Sequence, residues 1–194
     1  MASRICTASL AVTAALTAGL ATTATPAHAA EPPGTYLLFD KNQRDPAASR
    51  VRLVQSGTGK VLADYRAGSG QGGTAGRDEC ARSKGWLPDG TYRVLGHTTR
   101  KQGGRDGING YAIRLADKTC RDGRTRRTAL FLHSEMRPDG TQGPARPGRD
   151  APYRWDGDSD YRSLGCVKLA PADIKDLFAE AERQGWPTTL KVVK

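Results

Sequence analysis

The sequence predicts a mostly β domain with one clear α-helix near the C-terminus. Two observations carry this expectation. Short apolar or alternating segments are separated by Gly, Pro and Asp turns, as in Arg50-Val51-Arg52-Leu53-Val54, where polar and apolar residues alternate as in a half-buried strand. One stretch has clear helical spacing: Ile174, Leu177, Phe178 and Ala181 fall at i, i+3, i+4 and i+7 and form an apolar stripe.

Taken in order, Thr35-Tyr36-Leu37-Leu38-Phe39 reads as the first strand. Segments 50–54 and 60–65, joined through Gly57-Thr58-Gly59, read as a hairpin. The glycine-rich run 68–76 reads as a flexible, solvated loop. It lacks the Gly-Lys-Ser/Thr ending of a phosphate-binding loop. Pro88-Asp89-Gly90 marks a turn, followed by strands at 91–95 and 111–115. Ala129-Leu130-Phe131-Leu132-His133 is the most apolar strand and is expected to be central. Residues 136–161, rich in Gly, Pro, Arg and Asp, read as a long excursion of the kind that carries function. The helix opens at Pro171, a residue suited to a first turn. Asp173 sits at the positive end of its dipole, and Gly185 is a fitting residue just past its end. A strand at 188–193 closes the chain.

The N-terminal segment stands apart. Arg4 is the only charge before Glu31, the middle is rich in Ala, Thr and Leu, and Ala27-His28-Ala29 forms a small-residue exit. Residues 1–29 are therefore expected to be a secretory signal peptide, with 30–34 a short lead-in and 35–194 the domain. A membrane anchor is the alternative; the Thr content, Pro26 and the small-residue exit suit processing better. No later segment is apolar enough to span a bilayer, so the expected location is extracellular or on the cell wall.

The 194-residue chain carries a formal charge of +10, which favours polyanions such as anionic wall polymers. A nucleic-acid partner is not expected. Apart from a cluster at 121–127 the arginines are dispersed, and aromatics do not interleave with them as a stacking platform requires.

Beyond the leader three cysteines remain, Cys80, Cys120 and Cys166, and an oxidising compartment would pair two of them. Cys80 lies in a polar loop after the glycine-rich run and Cys120 in a charged turn between strands. These contexts favour Cys80–Cys120 as a staple, with Cys166 free. A free cysteine is either a buried inert thiol or a nucleophile. A nucleophile needs a base and oxyanion donors. His133, at the end of the apolar strand, is the expected base, with His97 as the alternative. Backbone N–H groups around Gly165 and Cys166 are candidate donors. On spacing alone this is a weak signal.

The residues around Cys166 say more. Ser163-Leu164-Gly165-Cys166-Val167-Lys168-Leu169 resembles the S-x-G-C-[IV]-R signature of the L,D-transpeptidase catalytic domain (YkuD-like) family. Leu87-Pro88-Asp89-Gly90-Thr91-Tyr92 resembles an upstream element of that family, and Leu130-Phe131-Leu132-His133 its strand ending in the catalytic histidine. The similarity runs over about residues 35–194. It implies a β-sandwich-like fold and a cysteine acyltransferase acting on peptidoglycan stem peptides, with no metal and no organic cofactor. Cys166 would be the nucleophile and His133 the base, with Ser163 and Gly165 shaping the catalytic loop. Lys168, Leu164 and Ser134 would contact substrate. Three positions depart from the pattern: Lys168 stands where the family usually has Arg, Leu164 where many members have His, and Ser134 where Gly is frequent. Two other functions use the same residues differently. One is hydrolysis of the same bonds by an L,D-carboxypeptidase or endopeptidase. The other is a non-enzymatic wall-binding or inhibitor module with Cys166 inert. Asp156-Gly157-Asp158-Ser159-Asp160 could offer oxygens to calcium but lacks the EF-hand glycine and glutamate. Trp86, Trp155 and Trp186 could line a glycan groove, though core packing is the commoner role.

Overall fold

The structure is a computed structural model and describes residues 34–194; the signal-peptide reading lies outside the described residues. Ten strands form among the described residues: β1 (Thr35–Asp40), β2 (Ser49–Gln55), β3 (Val61–Ser69), β4 (Gly90–Lys101), β5 (Gly110–Leu115), β6 (Lys118–Thr119), β7 (Arg126–Arg127), β8 (Phe131–His133), β9 (Val167–Leu169) and β10 (Thr189–Val193). Eight of them close in the order β1-β10-β4-β5-β8-β9-β3-β2, while β6 and β7 form a separate ribbon. The pairs β1·β10 and β8·β9 are parallel; the others are antiparallel. The expected mostly β architecture is present, with eight of its strands joined in a closed sheet. Closure removes the free edges that an open sheet would expose.

Alternation fills the interior. Leu37, Phe39, Val51, Leu53, Ile113, Leu132, Val167 and Leu169 point inward and are fully buried. One long helix, α2 (Pro171–Gln184), lays Ile174, Leu177, Phe178 and Ala181 against this core, with Pro171 in its first turn and Gly185 at φ +89° after its end. No helix among the described residues is long and apolar enough to cross a membrane.

The structure corrects the reading of 68–76 as a solvated loop. Gly68 and Ser69 continue β3 and pair with Lys168 and Val167 of β9. Gly70 and Gly76 are buried, and a short helix, α1 (Gly73–Arg77), follows. The glycine at 68 answers a close approach: a Cβ there would lie 2.4 Å from the carbonyl oxygen of Tyr161. β4 runs past the expected 91–95 to Lys101, where its residues are largely exposed and show no one-sided alternation.

The excursion at 136–161 has no strand, but it is well tied down. Gln142 donates to the Glu135 carbonyl and accepts from the Trp155 N–H, and Arg154 donates to the Gly143 carbonyl. The three aspartates at 156, 158 and 160 all serve protein donors. Asp160 accepts from the N–H groups of Asp156 and Gly157, Asp156 from Ala151 and Arg154, and Asp158 from Arg66.

Candidate active site

Two short parallel strands bring the chemistry together. In the β8·β9 pair, Leu132 stands opposite Val167 and His133 opposite Lys168. Leu132 and Val167 face the core, so His133 and Lys168 share the other face. Cys166, two positions before Lys168, belongs to that face too. Cys166, His133 and Lys168 all line one cleft of about 1010 Å³, together with Ser134, Ser163, Leu164 and Gly165. Residues far apart in sequence thus reach one wall through strand register.

The turn before Cys166 is held from both sides. Ser163 Oγ accepts from the N–H groups of Gly70 (3.2 Å) and Gly165 (3.1 Å) and donates to the Cys166 carbonyl (2.6 Å). This hydroxyl locks the loop to the end of β3, and it occupies the Gly165 N–H that sequence reasoning offered as an oxyanion donor. Gly165 has φ +126°, a conformation that disfavours side chains. On the other side lies Arg127, whose Nη2 donates to the Leu164 carbonyl at 3.2 Å.

Burial pushes the Cys166 thiol up; a backbone hydrogen bond at Phe131 and the charges of Arg127 and Lys168 act against this. Sγ also lies 3.6 Å from the Ala129 carbonyl, and Ala129 adopts φ +53°, an unusual conformation for a residue with a side chain. His133 is lowered to about 4 by burial first and by the Lys168 charge second. Its Nδ1 lies 3.0 Å from the Ser134 carbonyl, which can only accept, so the proton sits on Nδ1 and Nε2 carries the free lone pair. At neutral pH the site therefore holds a thiol and a neutral imidazole whose Nε2 lone pair can accept a proton.

Lys168 Nζ pairs with Glu135 at 2.8 Å. Ser134 Oγ is buried and has no hydrogen-bond partner, yet Ser134 lines the cleft. Leu164 is 64% exposed and forms an apolar lip. Arg82, Arg105, Arg126 and Arg162 surround the opening, against Asp106 and Asp150, so the mouth is electropositive.

The structure also separates residues that the sequence left together. His97 lies on β4, stacked on Trp186 at 3.3 Å, and does not line the cleft. Trp86 is buried against Lys41, Trp155 packs edge-on to Tyr161, and Trp186 packs edge-on to Phe178; none of the three lines the cleft, so they serve packing and not a groove. Cys80 and Cys120 are joined in a disulfide, with Cα atoms 5.6 Å apart, and Cys166 is free. Sequence reasoning missed Glu135 and Arg127. Arg127 lies in a basic cluster where Arg126, beside it, is exposed, and nothing local distinguishes the two.

The model of the L,D-transpeptidase catalytic domain family matches residues 34–192, and the chain belongs to that family. Among solved structures, Bd1075 of Bdellovibrio bacteriovorus is similar at 15% sequence identity and a TM-score of 0.49, over 83% of this chain and 48% of that one. The chain thus spans about half the length of that protein. No curated protein sequence matches it.

Proposed function

We propose that this protein is an exported cysteine acyltransferase that carries out L,D-transpeptidation on peptidoglycan stem peptides. The observation that carries the proposal is the shared face of β8 and β9, which sets Cys166 and a neutral His133 in one cleft. His133 Nε2 takes the Cys166 proton as the sulfur attacks the carbonyl carbon of the amide between the L-centre of a diamino acid and D-Ala. The tetrahedral intermediate collapses, the C–N bond breaks, and His133 returns the proton to the departing D-Ala nitrogen. A thioester on Cys166 remains. An amine of a second stem, deprotonated by His133, attacks the thioester; the new amide forms and the thiol is restored. Ser163 and Gly165 shape the nucleophile loop. The unpartnered Ser134 hydroxyl, Leu164 and Lys168 contact substrate, and the arginine-rich mouth suits stems that carry free carboxylates. This chemistry uses no metal and no organic cofactor.

Hydrolysis to a carboxylate uses the same acyl-enzyme with water as acceptor. The acceptor, amine or water, separates the two. The reading of 1–29 as a signal peptide and the charge of +10 support export and attraction to anionic wall polymers.

The test is thiol alkylation of the purified protein without reductant, mapped by peptide mass spectrometry, followed by incubation with tetrapeptide stems. We expect labelling of Cys166 alone, slowed by His133→Ala, a stem-derived acyl adduct on Cys166, and exchange of D-Ala for an added D-amino acid. Release of D-Ala with water as sole acceptor would assign a hydrolase. A Cys166 that neither labels nor acylates would leave a wall-binding or inhibitor role.

A further inference from the structure

We infer that Arg127 is the positioning residue of the nucleophile, a buried guanidinium that clamps the Cys166 turn to the disulfide loop and leaves its charge facing the sulfur. The inference rests on the reading of Cys166 as nucleophile.

Arg127 is 5% exposed. In the same basic cluster Arg126 pairs with Asp117 and Arg121 with Asp78, whereas Arg127, unlike the exposed Arg124, is buried and makes no ion pair among the described residues. Its guanidinium donates instead to four main-chain carbonyls: Glu79, Gly85 at 3.0 Å, Trp86 at 3.4 Å and Leu164 at 3.2 Å. Carbonyls satisfy the donors but do not cancel the charge. Burying a cation without a counter-ion is costly, and a mere staple does not require one. The planar fork of five N–H donors does, however, span carbonyls from two chain segments at once, which an ammonium cannot match.

The first three carbonyls belong to the loop at 79–86. That loop is anchored by Cys80–Cys120 and by the buried Glu79 carboxylate, which accepts from the N–H groups of Asp89 and Arg121. The fourth carbonyl belongs to the turn that presents Cys166. The packing is tight: a Cβ on Gly165 would lie 1.9 Å from Arg127 Nη2. The glycine at 165 therefore admits the guanidinium under the turn as well as permitting its φ. Arg127 also lines the cleft and is one of two cations that favour the Cys166 thiolate against burial. The other, Lys168, is paired with Glu135, whereas Arg127 has no carboxylate at ion-pair distance among the described residues and feels Asp78 and Glu79 only from farther off.

The test compares wild type, Arg127→Met and Arg127→Lys, each with the disulfide intact, in three measurements: the pH dependence of Cys166 alkylation, thermal stability, and turnover on tetrapeptide stems. For Arg127→Met we expect the alkylation midpoint to move up by about one pH unit, so that labelling below the midpoint slows about tenfold. For Arg127→Lys we expect a midpoint near wild type, with kcat lowered at unchanged KM, because the charge stays while the turn loses its fork. A folded Arg127→Met with the wild-type midpoint overturns the electrostatic role, and Arg127→Lys with wild-type kcat overturns the positioning role. Should Arg127→Met not fold, Arg127→Gln, which drops the charge and keeps amide donors, takes its place in the alkylation measurement with the same expected and overturning results. A wild-type Cys166 that shows no His133-dependent labelling and no acylation sinks the nucleophile reading itself, which is a separate result.

Discussion

Burial keeps the His133 imidazole neutral down to about pH 4, while its ordinary value is 6.5. Between these limits the unfolded chain binds a proton that the folded chain does not. Stability from this group is thus complete above about pH 6.5, falls as pH falls toward about 4, and changes little below that. Thermal melts from pH 7 to 4 should show a smaller loss for His133→Gln than for wild type; parallel curves would contradict the assignment. Gly165 makes the second residue-scale prediction. An alanine there must take φ +126° and place its Cβ 1.9 Å from Arg127 Nη2. Gly165→Ala should abolish most turnover, and urea unfolding should register a loss of about 1–3 kcal/mol for the strained backbone alone. Ser163 acts in the same loop through three hydrogen bonds of one hydroxyl, accepting from the Gly70 and Gly165 N–H groups and donating to the Cys166 carbonyl.

At the scale of elements, β8 and β9 are only three residues each, yet they position the whole site. Their inward residues, Leu132 and Val167, fix which side chains face the cleft. Leu132→Ala should cost about 2–5 kcal/mol, read from denaturant midpoints, because a fully buried leucine leaves a cavity that short strands cannot collapse to fill. The α2 helix was legible in the sequence because its information is local: an apolar stripe of period 3.6, a proline at the start and a glycine past the end. The continuation of β3 through Gly68 and Ser69 was not legible. Glycines carry no pattern of alternation, and what makes these residues a strand is their pairing with β9, almost a hundred positions away. The tail of β4 was missed for a related reason, since exposure on both sides erases the one-faced polarity by which strands are read.

For the molecule as a whole, the disulfide closes a long loop, with partners separated by 40 positions in sequence. On the chain-entropy argument its removal should cost about 4 kcal/mol. Equilibrium unfolding of the Cys80→Ser, Cys120→Ser double variant measures this, and a loss below about 1 kcal/mol would show that the closed sheet alone constrains the 79–120 region. The staple is joined to the cleft through Glu79 and Arg127. Loss of the disulfide should therefore lower turnover as well as stability.

The sequence by itself determined the mostly β character, the C-terminal helix, the cysteine pair and the family motif around Cys166. All of these rest on patterns spanning a few residues or on the redox arithmetic of an odd thiol. Only the tertiary structure decided what surrounds that motif. The parallel register of β8 and β9 chose His133 over His97 as the neighbour of Cys166. Folding also committed the Gly165 N–H to Ser163, placed Arg127 beneath the turn while leaving Arg126 exposed, and removed the tryptophans from the cleft. These are contacts between residues 35 to 93 positions apart. They depend on how strands close around a common core, and local periodicity carries no record of that closure.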